Sequence, residues 1–383
     1  MNVLFVTTYY PNPKIGGIER VTKIISEDFA KNGIECHNIY LYPDGADSSV
    51  AHMACTLVPS MYDNEFVCNY IRNNNIRIVI NQSNPFYTPF LRQVCDATGA
   101  KLITCLHNST ECKAQPYGEA VKAASGIKKG LIAAGYPLFA LYSGSKLKGT
   151  HRMSYRLSDL TVMLSKSLIE PYKRVLNLKD NGRKLTYINN PLSFSMDITS
   201  EELRAKRKTA LVVSRLYESQ KKLSLLFRCW AEVEKHVSDW QLVVVGDGPD
   251  RSRYESLVAE FGLRSVTFAG SQSSMPYYRD ASLFCMTSVW EGFPMTILES
   301  LQMGVVPVVM DSFPAVRDLV DNGGNGIIVP YGDSEVYAKA LLGLMQDNET
   351  LNEMRKSAVR SARRFRMENI RAGWMEVLNR VMK

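Results

Sequence analysis

Short apolar runs alternate with amphipathic stretches along nearly the whole chain. Val3 to Thr7 is a continuous apolar run rich in β-branched residues, the pattern of a parallel strand buried on both faces. Runs of the same kind recur at Glu35–Leu41, Ile76–Ile80, Lys101–Leu106, Leu160–Ser165 and Leu185–Ile188. Between them, helical periodicity predicts helices over Glu19–Lys31, Tyr62–Asn73, Phe86–Thr98 and Lys166–Leu176. A second series starts at Thr209, with strands at ALVVS, Gln241–Val245 and Ser265–Ala269 and helices at Ser224–His236, Ser252–Phe261 and Met275–Asp280. A short helix near Ala315–Val320, a strand at Ile327–Val329 and further helices follow. Alternation of this kind predicts α/β architecture, with open parallel sheets covered on both faces. Residues 193–208 are polar and poor in core material, so they read as a linker between a first domain (1–192) and a second (209–362). The last segment, 363–383, carries Ile370, Trp374, Val377, Leu378 and Val381 on one stripe that must bury against a partner surface.

The stretch Met286 to Met310, MTSVWEGFPMTILESLQMGVVPVVM, organises the second half. An apolar strand ends there, breaks at Glu291-Gly292, restarts as a helix at Pro294 and stops at Gly304 before the next strand. Gly292 lets backbone approach a ligand, and the free N–H groups of the new helix, beside Phe293, Met295 and Thr296, point where an anion could sit. Glu291 and Glu299 bracket the turn with seven residues between them. Glu299 lies about 7 Å deeper along the helix at 1.5 Å per residue. It shares a face with Met295, Gln302 and Met303, which argues against a solvated stripe. A diphosphate at the helix mouth would place a sugar near Glu291 and a ribose near Glu299.

Basic residues supply the counterpart. Arg215 ends the first strand of the second series, and Lys221 and Lys222 follow after YESQ. Arg offers a fork of donors and Lys a point charge, both suited to a diphosphate. Gly246-Asp247-Gly248 ends the next strand in a tight turn. In the first half, Gly16-Gly17 sits between strand and helix, a layout that offers N–H groups to phosphate. His107 falls at the carboxyl end of a strand, the rim where open α/β sheets hold ligands. Neither glycine turn is G-x-G-x-x-G, since Arg251 stands where the third glycine of the second turn would be, which weighs against an NAD-dependent dehydrogenase.

The totals constrain less. At 383 residues the chain has room for two or three domains, and its composition is ordinary for a globular protein. The net charge of +8 favours anionic ligands or an anionic membrane surface. Eight scattered cysteines form no C-x-x-C pair or zinc pattern, which suits a reducing cytoplasm. The N-terminus opens directly on a strand without a basic leader, and no apolar run reaches the length of a bilayer span. An apolar middle in residues 113–156, flanked by Lys128, Lys129, Lys146, Lys148 and Arg152, either rests on an anionic leaflet or forms a core helix pair.

Taken in order, Gly16-Gly17, Arg215, Lys221, Gly246-Asp247-Gly248 and the Glu291/Glu299 pair make the chain resemble the retaining glycosyltransferases of family 4. The resemblance implies the GT-B fold, two Rossmann-like domains facing across a cleft, with a C-terminal helix that crosses back to an acceptor-binding first domain. It implies that Glu291 contacts the donor sugar and Glu299 the ribose. Arg215 and Lys221 would neutralise the donor diphosphate, with the glycine loop and His107 matching the family's own. The family more often has its lysine five residues after the arginine, where this chain has Gln220, so Lys221 and Lys222 both remain candidates. The implied activity is transfer of a sugar from a nucleotide-sugar, uridine being the family's commonest base, to a hydroxyl of a glycan or lipid-linked saccharide in surface polysaccharide synthesis. The resemblance implies that configuration is retained. No carboxylate cluster looks like a metal clamp, so no metal or other cofactor is expected, nor a nucleic acid partner. The scattered cysteines, the positive charge and the basic-flanked segment lead to the expectation of a cytoplasmic location, peripheral on the inner membrane face. Two rivals share the scaffold: a nucleotide-sugar epimerase, and a non-catalytic sugar- or partner-binding subunit.

Overall fold

The computed structural model describes residues 1–43, 50–60, 62–107, 144–180 and 182–383. Most of the basic-flanked segment at 113–156 lies outside these residues; its end, 144–157, is helical. The chain divides into two compact units. One comprises Met1–Ser193 together with Phe365–Lys383, the other Phe194–Arg364. No helix among the described residues is long and apolar enough to cross a membrane.

The first unit is built on a seven-stranded parallel sheet. Its strands are β1 (Asn2–Thr7), β2 (Glu35–Tyr40), β3 (Ala54–Leu57), β4 (Ile76–Asn81), β5 (Lys101–Leu106), β6 (Leu160–Met163) and β7 (Leu185–Tyr187). They lie in the order β3-β2-β1-β4-β5-β6-β7. The order reverses between β1 and β4, so loops leaving these two strands diverge and open a crevice at the carboxyl edge. Val3, Leu4, Phe5, Ile78 and Ile80 are fully buried, as expected for strands covered on both faces. The edge strand β3 was not legible, because ACTL is only four residues long and none of the four is buried.

The second unit repeats the plan with six parallel strands: β8 (Thr209–Val213), β9 (Gln241–Val245), β10 (Val266–Gly270), β11 (Leu283–Met286), β12 (Val306–Asp311) and β13 (Ile327–Pro330). Their order is β10-β9-β8-β11-β12-β13, with the reversal between β8 and β11. One face is packed by Phe227, Trp230, Tyr254, Tyr337 and Leu341. The polar stretch before β8 is not a bare linker. Thr199 caps a short helix, Ser200–Arg204, its hydroxyl accepting from the Glu202 N–H while the Glu202 carboxylate accepts from its own. Leu203 of that helix packs near Gly304, whose left-handed φ of 62° ends the helix Met295–Gln302.

The C-terminal helix, Met367–Met382, belongs to the first unit. Its apolar stripe lies against the helix Gly17–Lys31, where the Trp374 and Phe29 rings meet edge to face at 5.9 Å. Arg371 forks onto both oxygens of the nearly buried Asp28, the Nε–Oδ2 contact being 2.8 Å. Gly373 of the C-terminal helix sits beside Ile188, the residue that follows β7.

His151, on the helical stretch 144–157, is buried against Tyr172 with its Nδ1 lacking any hydrogen-bond partner. Burial lowers its pKa to about 4, so the imidazole is neutral in the native state. Between about pH 6.5 and pH 4 the unfolded chain binds a proton that the folded chain does not, so stability falls as pH drops through that window. His151→Phe keeps the ring contact and removes the titration. The expected outcome is a smaller loss of Tm between pH 7 and pH 5 than in the native protein, measured by thermal scans at both pH values.

Candidate functional site

The reversal between β8 and β11 gathers the predicted residues of the second unit. β8 delivers Ser214 and Arg215 to the carboxyl edge, and the chain then makes a one-turn helix, Glu218–Lys221. β11 ends in Thr287 and runs on through Trp290 to Glu291. The two loops are stitched together: Val289 N–H donates to the Gln220 carbonyl at 2.7 Å, and the Thr287 hydroxyl donates to the Lys221 and Lys222 carbonyls.

Across this seam Lys221 Nζ donates to Glu291 Oε1 at 2.6 Å, with both side chains largely buried. Gln220 Nε2 reaches the Trp290 carbonyl at 3.3 Å and lies 3.5 Å from the other Glu291 oxygen. The two candidate lysines therefore separate. Lys222 adopts a left-handed φ of 52° at the start of the helix Leu223–Val233 and turns its ammonium to Glu218, 3.2 Å away. Lys221 alone of the two faces Glu291. Arg215 is exposed and makes no side-chain hydrogen bond or ion pair among the described residues.

Beyond Glu291, residues Gly292, Phe293 and Pro294 are buried and lead into the helix Met295–Gln302, which no side chain caps. The Ile297 N–H donates to the Pro294 carbonyl at 3.2 Å, and no side chain at the N-cap takes the N–H groups before it. Glu299 is 1% exposed, with Met295, Gln302 and Met303 buried around it, so the expected solvent-shielded face is present. The Thr296 carbonyl is occupied by the Tyr278 hydroxyl at 3.0 Å.

The turn Gly246-Asp247-Gly248 has a different local task from ligand approach alone. Gly246 has φ 132°, and a Cβ there would stand 1.9 Å from the Ser214 carbonyl oxygen; one on Gly248 would stand 2.4 Å from that of Leu216. The absent side chains let the turn press on the loop that carries Arg215, and Leu216 N–H donates to the Asp247 carbonyl at 2.9 Å. Asp247 itself is exposed; its carboxylate accepts from the Gly248 N–H and pairs with Arg251, and these contacts lower its pKa.

Glu218 was not singled out in the sequence, although an acid just ahead of a helix start was the available signal. It is buried and accepts from Ser224 Oγ at 2.5 Å and Tyr254 OH at 2.9 Å, with Lys222 beside it. Burial pushes its pKa up, but the Ser224 and Tyr254 hydrogen bonds and Lys222 outweigh this and lower it below the ordinary value. Its own N–H is held by Asp250 at 2.8 Å. Glu218 thus fixes the loop from which Lys221 projects.

In the first unit, Gly16 is extended at the start of the helix Gly17–Lys31. The helix mouth is not vacant: a Cβ on Gly16 would meet Glu19 Oε2 at 2.6 Å, so the Glu19 carboxylate folds back over the glycine. Glu19 is buried, which raises its pKa. Any anion approaching Gly16-Gly17 would meet this carboxyl first. His107 follows β5, and its Nε2 donates to Gln82 Oε1 at 2.5 Å. Burial lowers its pKa to about 4, leaving it neutral with Nδ1 as the acceptor nitrogen.

The two parallel α/β units have the GT-B fold. Sucrose-phosphate synthase from Thermosynechococcus elongatus matches with a TM-score of 0.77 at 15% identity, covering 100% of this chain and 99% of that one. Anabaena HepE, solved in complex with UDP, matches with 0.74 at 16% identity over 99% of this chain and 100% of that one. Residues 195–361 match the family described as Glycosyl transferases group 1. Among curated relatives, an α-1,4-N-acetyl-D-galactosaminyltransferase of Campylobacter jejuni that extends an undecaprenol-diphosphate-linked saccharide is 24% identical over 263 residues, 68% of this chain and 71% of that protein. The phosphatidyl-myo-inositol mannosyltransferase of Mycobacterium leprae is 32% identical over 46% of each chain. The poly(glycerol-phosphate) α-glucosyltransferase of Bacillus subtilis is 23% identical over 59% of this chain, which spans only a third of that relative.

The close approach at Gly246 carries a stability consequence. Gly246→Ala forces a side chain into backbone at positive φ and should cost roughly 2 kcal/mol or more. The urea midpoint is expected to fall with an unchanged m-value.

Proposed function

We propose that the protein is a retaining hexosyltransferase that takes a sugar from a nucleoside-diphosphate donor, a UDP-sugar foremost, and places it on a hydroxyl of a glycan or lipid-linked saccharide. The observation that carries the proposal is the Lys221–Glu291 pair at the β8/β11 reversal, beside an exposed Arg215 and an uncapped helix mouth. This is where a doubly wound sheet receives a ligand, and its charges are those a sugar diphosphate requires. The UDP bound by HepE and the sugar-transfer activities named for the relatives support the same reading.

In the proposed reaction the diphosphate lies on the N–H groups of the helix Met295–Gln302, with Arg215 and Lys221 on its oxygens. Glu291, released from Lys221, accepts hydrogen bonds from sugar hydroxyls, and Glu299 accepts from the ribose. The bond from the anomeric carbon to the diphosphate oxygen breaks first, giving an oxocarbenium-like ion. The acceptor hydroxyl then attacks from the face the diphosphate leaves, and its proton passes to a departing phosphate oxygen. The chain's contribution is to position the reactants and to stabilise the charge that develops on the leaving group. His107, neutral at physiological pH, is assigned to hydrogen bonding with its acceptor nitrogen rather than to carrying positive charge. The lipid-linked acceptor and contact with the inner membrane face rest on the net charge of +8 and on the relatives' named substrates.

Arg215→Ala and Lys221→Ala should each lower turnover roughly 10²-fold or more, the scale of one charge-stabilising donor. UDP release from a panel of UDP-sugars, with and without saccharide acceptors, reads this out. Near-native rates in either variant contradict the assignment. A new nucleotide-sugar formed from donor alone would indicate an epimerase.

A further inference from the structure

Four separate connections of the first unit bring aromatic rings to the carboxyl edge of its sheet. Tyr9 follows β1, Tyr42 follows β2, Tyr62 precedes the helix Asn64–Asn73 after β3, and Phe86 follows β4. They form two linked groups. Tyr9 and Tyr42 lie 5.9 Å apart at 40°. Tyr62 stands 6.0 Å from Tyr87 and 5.6 Å from Phe90, the latter edge to face, and Phe86 meets Tyr87 edge to face at 6.3 Å. A hydrogen bond between the Tyr42 and Tyr87 hydroxyls joins the groups.

The exposure of these rings is divided. Tyr87 and Phe90 are 8% and 7% exposed and act as a buried base, while Tyr42, Tyr62 and Phe86 are 37%, 49% and 54% exposed. Three large rings held open at a ligand-receiving rim cost apolar hydration that a packed core would have removed. Being braced from behind, they can take a ligand with little further loss of side-chain freedom. Each tyrosine offers a π-face for aliphatic C–H groups and an in-plane hydroxyl for polar partners. A pyranose ring has the matching character, with C–H bonds on its faces and hydroxyls around its edge.

We infer that Tyr42, Tyr62 and Phe86 form a stacking platform for a saccharide, so that the acceptor is recognised through sugar rings rather than through a lipid or a diphosphate alone. This rests on the reading that the protein transfers sugar to a glycan, and it adds where and by what chemistry that glycan is held.

Saturation-transfer NMR on the full chain tests it, using as probes the methyl α-glycosides of galactose, glucose and N-acetylgalactosamine and the disaccharides maltose and lactose, each up to 20 mM. At least one saccharide should bind, with saturation concentrated on ring C–H protons. Tyr62→Ala combined with Phe86→Ala should weaken that binding about tenfold or more. Tyr62→Phe and Phe86→Tyr, which keep the rings, should stay within about twofold of native. UDP affinity, measured in parallel by calorimetry, should not change in any of these variants. The inference is overturned if no saccharide binds, if the double alanine variant binds as well as the native chain, or if phosphatidylglycerol vesicles alone lose binding in that variant. Should the native chain fail to bind UDP while saccharide binding still depends on the rings, the donor reading fails and the platform stands.

Discussion

One charge pair, Lys221 on Glu291, faces the ligand side of two loops that backbone hydrogen bonds also join where the second sheet reverses direction. Both side chains are largely withdrawn from water, so neither can be stripped of its partner without cost. A ligand that supplies anionic oxygens to the lysine and hydroxyl donors to the carboxylate satisfies both at once. A sugar joined to a diphosphate has that composition. On the proposed reading, free phosphate or free sugar would meet only half the demand.

The pair is held in place by elements that never touch such a ligand. Gly246 and Gly248 admit the β9 turn to within contact of the Ser214 and Leu216 carbonyls. Glu218, kept ionised by Ser224 and Tyr254 despite its burial, takes Lys222 away and leaves Lys221 as the lysine that faces Glu291. A single helical turn, Glu218–Lys221, followed by the left-handed Lys222 sets which ammonium points inward.

Much of this was legible in the sequence, because strands buried on both faces write themselves as unbroken apolar runs. Val3–Thr7, Lys101–Leu106 and the run before Glu291 all became strands near the expected places. The short helix between two strands is present at Met295–Gln302, and burial of Glu299 agrees with the apolar face read for it. Less could be read where long-range contact decides. Edge strand β3 is too short to signal itself, and the capped helix Ser200–Arg204 sits in a stretch with the composition of a linker. The choice between Lys221 and Lys222 depends on a backbone angle and on the distant Tyr254. At Gly16 the pattern of glycines gave no sign that the Glu19 carboxylate folds back beside it.

The most direct test is calorimetry of UDP and of a UDP-sugar substrate with the native protein and with Glu291→Gln. Removing the carboxylate charge frees Lys221 while leaving the loops sewn together through Thr287 and Val289. The account predicts that UDP binds the variant several-fold more tightly than the native protein, while the added affinity contributed by the sugar largely disappears. Weaker UDP binding in the variant, or a sugar contribution that survives intact, would contradict it.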